Sequence, residues 1–234
     1  MMMTLLMIFV VTGALLIGAL WGLYLPLSKS WEGFLIALAG GALIVSVMLE
    51  MVEPAGQVLS FTALAASLAA GALCFTLADW FLSEKMRAAG GIGLLLAITL
   101  DGVPENLALG VSLIGADPLS VAALAGSILL SNLPEAAGGA KQMHESGRSK
   151  PAVLALWTGA AVLLAAAALA GNLLLADAGA PPLAYMRSFA AGAVTASLAT
   201  EIFPKAFKQE HFGTGIAIAL GLIVAYGLTQ LSGG

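Results

Sequence analysis

The sequence predicts an all-α integral membrane protein with eight transmembrane helices. Three observations predict it. Hydrophobic residues fill 60% of the 234 positions and charged residues only 9%, against roughly 25% charged in a soluble domain. The apolar residues gather into runs of about 20 residues or more, the length that crosses a bilayer as a helix. Short polar or Gly/Pro connections separate the runs.

The runs span approximately residues 2–25, 32–53, 57–82, 90–115, 119–142, 152–176, 181–206 and 212–231. Met1–Val10 has no Lys or Arg ahead of its apolar stretch and no small-residue cleavage site after it, so the first run reads as a retained helix and not as a signal peptide. The second ends in Glu50, Glu53 and Pro54, and the third carries Asp79 near its end. The fourth and fifth each hold a Pro-Glu pair. The sixth is bare of charge until its end, the seventh closes on Glu201 and Pro204, and the eighth is apolar. The longest polar connection, KQMHESGRSK, runs from Lys141 to Lys150. Residues 1–234 read as a single transmembrane domain.

Basic residues orient the chain. Lys29 lies in connection one, Lys85 and Arg87 in connection three, Lys141, Arg148 and Lys150 at connection five, and Lys205 and Lys208 at connection seven. Of nine Lys and Arg, only Arg187 sits beside an even-numbered connection. The positive-inside rule makes the odd side the cytoplasm. The chain is therefore expected in the cytoplasmic membrane, multi-pass, with both termini extracytoplasmic.

Composition also excludes functions. A net charge of −4 without a basic run gives no footprint for nucleic acid. The single cysteine, Cys74, rules out an intramolecular disulfide and a cysteine metal cage, and reads as an inert core thiol. Neither His lies within a segment and no Ser/His or metalloprotease pattern is present, so an enzyme is not expected.

The chain repeats itself. Gly41-Ala42, Ser46 and Glu50 in segment two recur as Gly192-Ala193, Ser197 and Glu201 in segment seven, at identical spacing and each with a Pro within four residues of the Glu. The two segments run in opposite directions, which predicts an inverted repeat in a 3+2+3 arrangement, a common transporter plan with the site near the midplane. Chance similarity is the competing explanation, because Gly, Ala and Ser recur in all membrane helices.

The chemistry lies in segments four and five. Segment four reads LDGVPENLALG, with Asp101 and Glu105 four apart on one helix face; segment five reads SNLPEAAGG, with Ser131, Asn132 and Glu135 within one turn. A central carboxylate costs roughly 2.5–3.5 kcal/mol on insertion scales. No Lys or Arg lies mid-segment, so internal ion pairing is not expected. The remaining offsets are a bound cation, protonation or a water-filled cavity, and a protonated structural group is the competing reading for any one of them. Pro104 and Pro134 lack an N–H and free the carbonyls of Leu100 and Leu130. Asp101, Glu105, Ser131, Asn132 and Glu135 form the candidate metal set, whose oxygen ligands suit Mg, Mn, Fe(II) or Zn. Candidate pathway residues are Glu50 and Glu53 at the outer face, Glu201 at the inner face, Met48 and His144; Glu53 reads equally as a solvated helix end, Met48 as packing, and His144 as a loop residue.

These motifs resemble the ZIP family of divalent metal-ion transporters, as a divergent bacterial-type member. That family carries His-Asn-x-Pro-Glu-Gly on its fourth helix, a related Pro-Glu motif on its fifth, and acidic motifs with Pro closing its second and seventh. The stretches at Glu50-Met-Val-Glu-Pro and Glu201-Ile-Phe-Pro-Lys look like the last pair. The resemblance implies eight helices, extracytoplasmic termini, and Glu105 and Glu135 bridging a metal centre. Asp101 stands where the motif has His and Gly102 where it has Asn, segment six lacks the family's frequent acidic residue, and the connection after segment three has no His. The expected function is transport of Zn, Mn or Fe(II) by alternating access, with the ion as substrate and no organic cofactor. The loss of imidazole shifts preference from Zn towards harder ions and reduces a two-metal site to one. Competing readings are a proton- or cation-coupled carrier of another small solute, and a transport-inactive homologue. Expected partners are metal ions, protons and the lipid bilayer, and small-residue stretches such as 64–72 make a homodimer a candidate assembly.

Overall fold

The computed structural model describes residues 2–87, 91–115 and 121–232. The predicted starts of segment four at 90 and of segment five at 119 lie outside them, as do the outermost ends of the single-domain span. Among the described residues there is no strand, and eight helical rods run in sequence. They are α1 (Met2–Tyr24), α2 (Lys29–Gly56), α3 (Phe61–Arg87), α4 (Gly91–Ser112), α5 (Ala122–Glu145), α6 (Lys150–Leu175), α7 (180–209) and α8 (Thr214–Ser232).

Capping sets two of the boundaries. Ser28 Oγ accepts from the Trp31 amide at 3.2 Å and Ser149 Oγ from the Ala152 amide at 3.4 Å, so α2 and α6 start two or three residues before their apolar runs. Gly147, at φ 94°, supplies the left-handed residue that turns α5 towards α6.

Two rods contain a widened turn. Met48–Val52 in α2 and Leu198–Ile202 in α7 are π-helical, with the amides of Glu53 and Phe203 donating five residues back to Met48 and Leu198. Pro54 or Pro204 follows each turn and has no amide to donate, which favours the rearranged ladder. Each turn holds a glutamate, Glu50 or Glu201. α4 and α5 run through Pro104 and Pro134 without a break.

Among the described residues four helices are long and apolar enough to cross a bilayer: Thr4–Tyr24, Lys29–Gly56, Phe61–Phe81 and Lys150–Leu175, with Thr214–Gln230 a shorter apolar helix. Outward-facing side chains are large and apolar: Phe61 is 82% exposed and Phe212 91%. Water would not tolerate such a surface over a whole molecule, and lipid covers it without cost. The observed elements are those of a helical membrane protein.

The helices pack in two groups. α1 lies along α5 and α6, and α4 along α6; α2 lies along α8 and α7, and α3 along α7. α2 against α5 and α4 against α7 join the groups. Exchanging α1 with α6, α2 with α7, α3 with α8 and α4 with α5 turns this set of pairings into itself. The glycines follow the same exchange. A Cβ on Gly41 would overlap the Ile218 carbonyl, and one on Gly221 the Leu38 carbonyl, so α2 and α8 touch backbone to backbone. Gly192 against Leu68 and Gly71 against Phe189 repeat that crossing between α7 and α3.

Candidate functional site

The predicted carboxylates lie where the two groups meet. Asp101, Glu105 and Glu135 are 7%, 2% and 4% exposed. α4 and α5 present them from one group towards α7 of the other. Ser197 Oγ on α7 donates to Asp101 Oδ1 at 3.0 Å. Lys205, one π turn and a proline further along α7, brings its Nζ to 3.9 Å from Glu135 Oε1. The expectation that no Lys or Arg pairs with these acids is therefore corrected: a lysine at the end of a predicted segment has a side chain long enough to reach inward. The three carboxylates repel one another, and neither Ser197 nor Lys205 touches Glu105. Glu105 Oε1 and Ser131 Oγ are buried without a hydrogen-bond partner. Unpaired buried oxygens of this kind are costly unless a cation or proton meets them.

The rest of the predicted set is dispersed. Asn132 is buried, but its amide nitrogen donates to the Val11 carbonyl of α1 at 3.5 Å. Glu50 Oε1 accepts from the Leu124 amide at 3.1 Å, in the first turn of α5, where amides lack an intrahelical acceptor. Glu201 lies near Asp79 of α3, whose Oδ1 is buried without a hydrogen-bond partner. Glu53 and Met48 are exposed. His144 is exposed in the last turn of α5, with Nδ1 2.9 Å from the Arg148 carbonyl oxygen. Cys74 is exposed on α3 and not in a core, because the apolar run around it faces outward. Among the described residues no three His, Cys, Asp or Glu side chains converge as a ready metal cluster.

Two polar residues were not singled out from the sequence. Asn106 is wholly buried beside Glu105; its amide donates to the Gly102 carbonyl at 2.9 Å, and its Oδ1 has no donor. The unbroken polar run Glu105-Asn106 was the available signal. Glu32, near the start of α2, is 7% exposed, accepts from Gln209 Nε2 at 2.8 Å and lies against Gly138 of α5.

A cavity of about 630 Å³ opens at the lysine-rich end, lined by Lys29, Glu32, Lys141, Glu145, Lys205 and Lys208 among others. Lys205 belongs to both the cavity wall and the carboxylate cluster. A second cavity of about 400 Å³, between α3, α4 and α7, is almost wholly apolar and includes Cys74 and Pro104. In the comparisons with known proteins, no family model matches this chain and no curated protein matches it.

Proposed function

We propose that this chain transports divalent metal ions of the Zn, Mn or Fe(II) type across the cytoplasmic membrane by alternating access, as a divergent relative of the ZIP family. The observation that carries the reading is Glu105: a carboxylate 2% exposed, with one oxygen unpartnered, within the electrostatic reach of two other buried acids, Asp101 and Glu135. An ion taken up between α4 and α5 would have to draw Asp101, Glu105 and Glu135 together, since they do not converge on their own, and would meet their oxygens in doing so. Oxygen-rich sets of this kind suit hard and borderline cations.

The architecture supports transport. The matched packing under exchange of α1–α3 with α6–α8 and of α4 with α5 is what a 3+2+3 inverted repeat requires. The site lies between two helix groups, the position from which a relative movement would expose it to either side. The cavity at the lysine-rich end shares Lys205 with the site and lies on the face that the positive-inside rule assigns to the cytoplasm. On the opposite side the Glu50–Leu124 contact holds α2 against α5. Both termini are then extracytoplasmic.

Calorimetric titration of Mn²⁺ and Zn²⁺ into the purified protein tests the reading. Saturable binding that is lost in Glu105→Gln supports it; binding that is the same in wild type and Glu105→Gln, or no binding at all, would remove it.

A further inference from the structure

Lys205 has two environments within reach. Its Nζ stands 3.9 Å from a Glu135 oxygen, and its side chain, 26% exposed, also forms part of the cavity wall at the lysine-rich end. A flexible four-carbon stem lets the ammonium turn from one towards the other. The cavity holds a second carboxylate at Glu145 to receive it; Glu32 is already bonded to Gln209.

A divalent ion and the ammonium cannot both occupy the Glu135 oxygen. They carry the same sign of charge in a poorly screened interior, so binding of one displaces the other. We propose that Lys205 is the tethered counter-ion of the cargo site. Its ammonium neutralises Glu135 while the site is empty, swings into the cavity when a divalent ion binds, and on its return displaces the ion towards the lysine-rich face. The proposal rests on the metal-transport reading above. It explains how a three-carboxylate site avoids holding its cargo too firmly to release it, since permeation needs binding weak enough to leave. Lys205 acts by moving between these two positions.

A merely structural ion pair behaves differently, because its removal loosens the fold and leaves ion binding unchanged or weaker. The test uses the full chain in lipid nanodiscs, with Mn²⁺ and Zn²⁺ as separate probes. Equilibrium binding and the rate of ion loss to a chelator are measured for wild type, Lys205→Met and Lys205→Arg. Lys205→Met is expected to bind up to about fivefold more tightly, the upper worth of one such ion pair, and to unload more slowly. Lys205→Arg should stay near wild type. Amine labelling of Lys205 in the unmodified protein, followed by mass spectrometry, needs no variant and should quicken several-fold at saturating ion. Labelling unchanged by the ion, or a Lys205→Met protein that binds no tighter while wild type binds, overturns the counter-ion role alone. Wild type that binds neither ion overturns the cargo reading, and the counter-ion role with it.

Discussion

Ser197 Oγ on α7 donates a 3.0 Å hydrogen bond to Asp101 Oδ1 on α4, and both side chains are buried. The bond ties the two helix groups together at the carboxylate cluster. Its counterpart in the repeated Gly-Ala-Ser-Glu pattern, Ser46 on α2, meets Ser127 on α5 at 3.4 Å. Each repeat thus turns its serine onto the opposite group, once against a carboxylate and once against a hydroxyl.

Removal of the Ser197 hydroxyl should therefore be felt through Asp101. Ser197→Ala is expected to lower stability by about 1.5–3 kcal/mol, the range for a hydrogen bond to a charged group. In an Asp101→Asn background the same change should cost clearly less. Thermal unfolding of the four proteins in a double-mutant cycle measures the difference; strict additivity would show that the bond does not form.

Asp101 should also set the cargo preference. A carboxylate oxygen favours hard ions, and imidazole favours Zn. Asp101→His is expected to raise affinity for Zn²⁺ relative to Mn²⁺ by about tenfold, roughly 1.4 kcal/mol. Competition titrations with both ions check it. A strong Zn²⁺ preference already present in wild type, and unchanged in Asp101→Ala, would refute the assignment.

Glu50 acts as a cap supplied from another helix. Its carboxylate meets the Leu124 amide near the positive end of α5, where a negative charge is favourable. Glu50→Ala leaves that donor buried and should cost about 1–3 kcal/mol. Glu50→Gln keeps an acceptor oxygen and should cost less. Hydrogen exchange over residues 122–128 is expected to rise in Glu50→Ala and to rise less in Glu50→Gln; equal protection in all three proteins would mean that Glu50 does not cap α5.

How much of this was legible in the sequence depends on range. Hydropathy located the eight rods, because each is built on a long apolar run, although only four are long and apolar enough by themselves to cross a membrane among the described residues. The starts of α2 and α6 were misjudged by two or three residues, because Ser28 and Ser149 cap helices whose first turns are polar. The carboxylates of α4 and α5 were legible as a local pattern: Asp101 and Glu105 share a face at four-residue spacing. Lys205 was not, since its approach to Glu135 joins positions 70 apart in the chain through a π turn that sequence spacing does not reveal. Asn132 was read as facing the site, yet its amide nitrogen bonds α1, because the angle at which α5 meets α1 is set by packing and not by its own motif. The Cys74 thiol was read as buried because its neighbours are apolar, and in a membrane an apolar neighbourhood is equally an outer surface.

The matched helix crossings carry their own expectation. Gly41→Ala and Gly192→Ala each place a methyl group against a backbone carbonyl of the facing helix, which cannot move aside as a side chain can. Each should cost about 1–3 kcal/mol, the usual penalty of overpacking. Gly159→Ala on α6 meets nothing within 4 Å and should be neutral or slightly stabilising. Thermal unfolding of the three variants compares them, and a Gly41→Ala protein as stable as Gly159→Ala would rule out the close α2–α8 crossing.

The central claim is that buried carboxylates on α4 and α5 carry a divalent ion across the membrane. It is tested most directly by uptake of labelled Zn, Mn, Fe(II) and Cd into proteoliposomes holding wild type, Glu105→Ala or Glu135→Ala. The account predicts saturable uptake of at least one ion by wild type and its loss in both variants, with each variant still folded. Uptake that survives both substitutions, or proton flux without any metal movement, would contradict it.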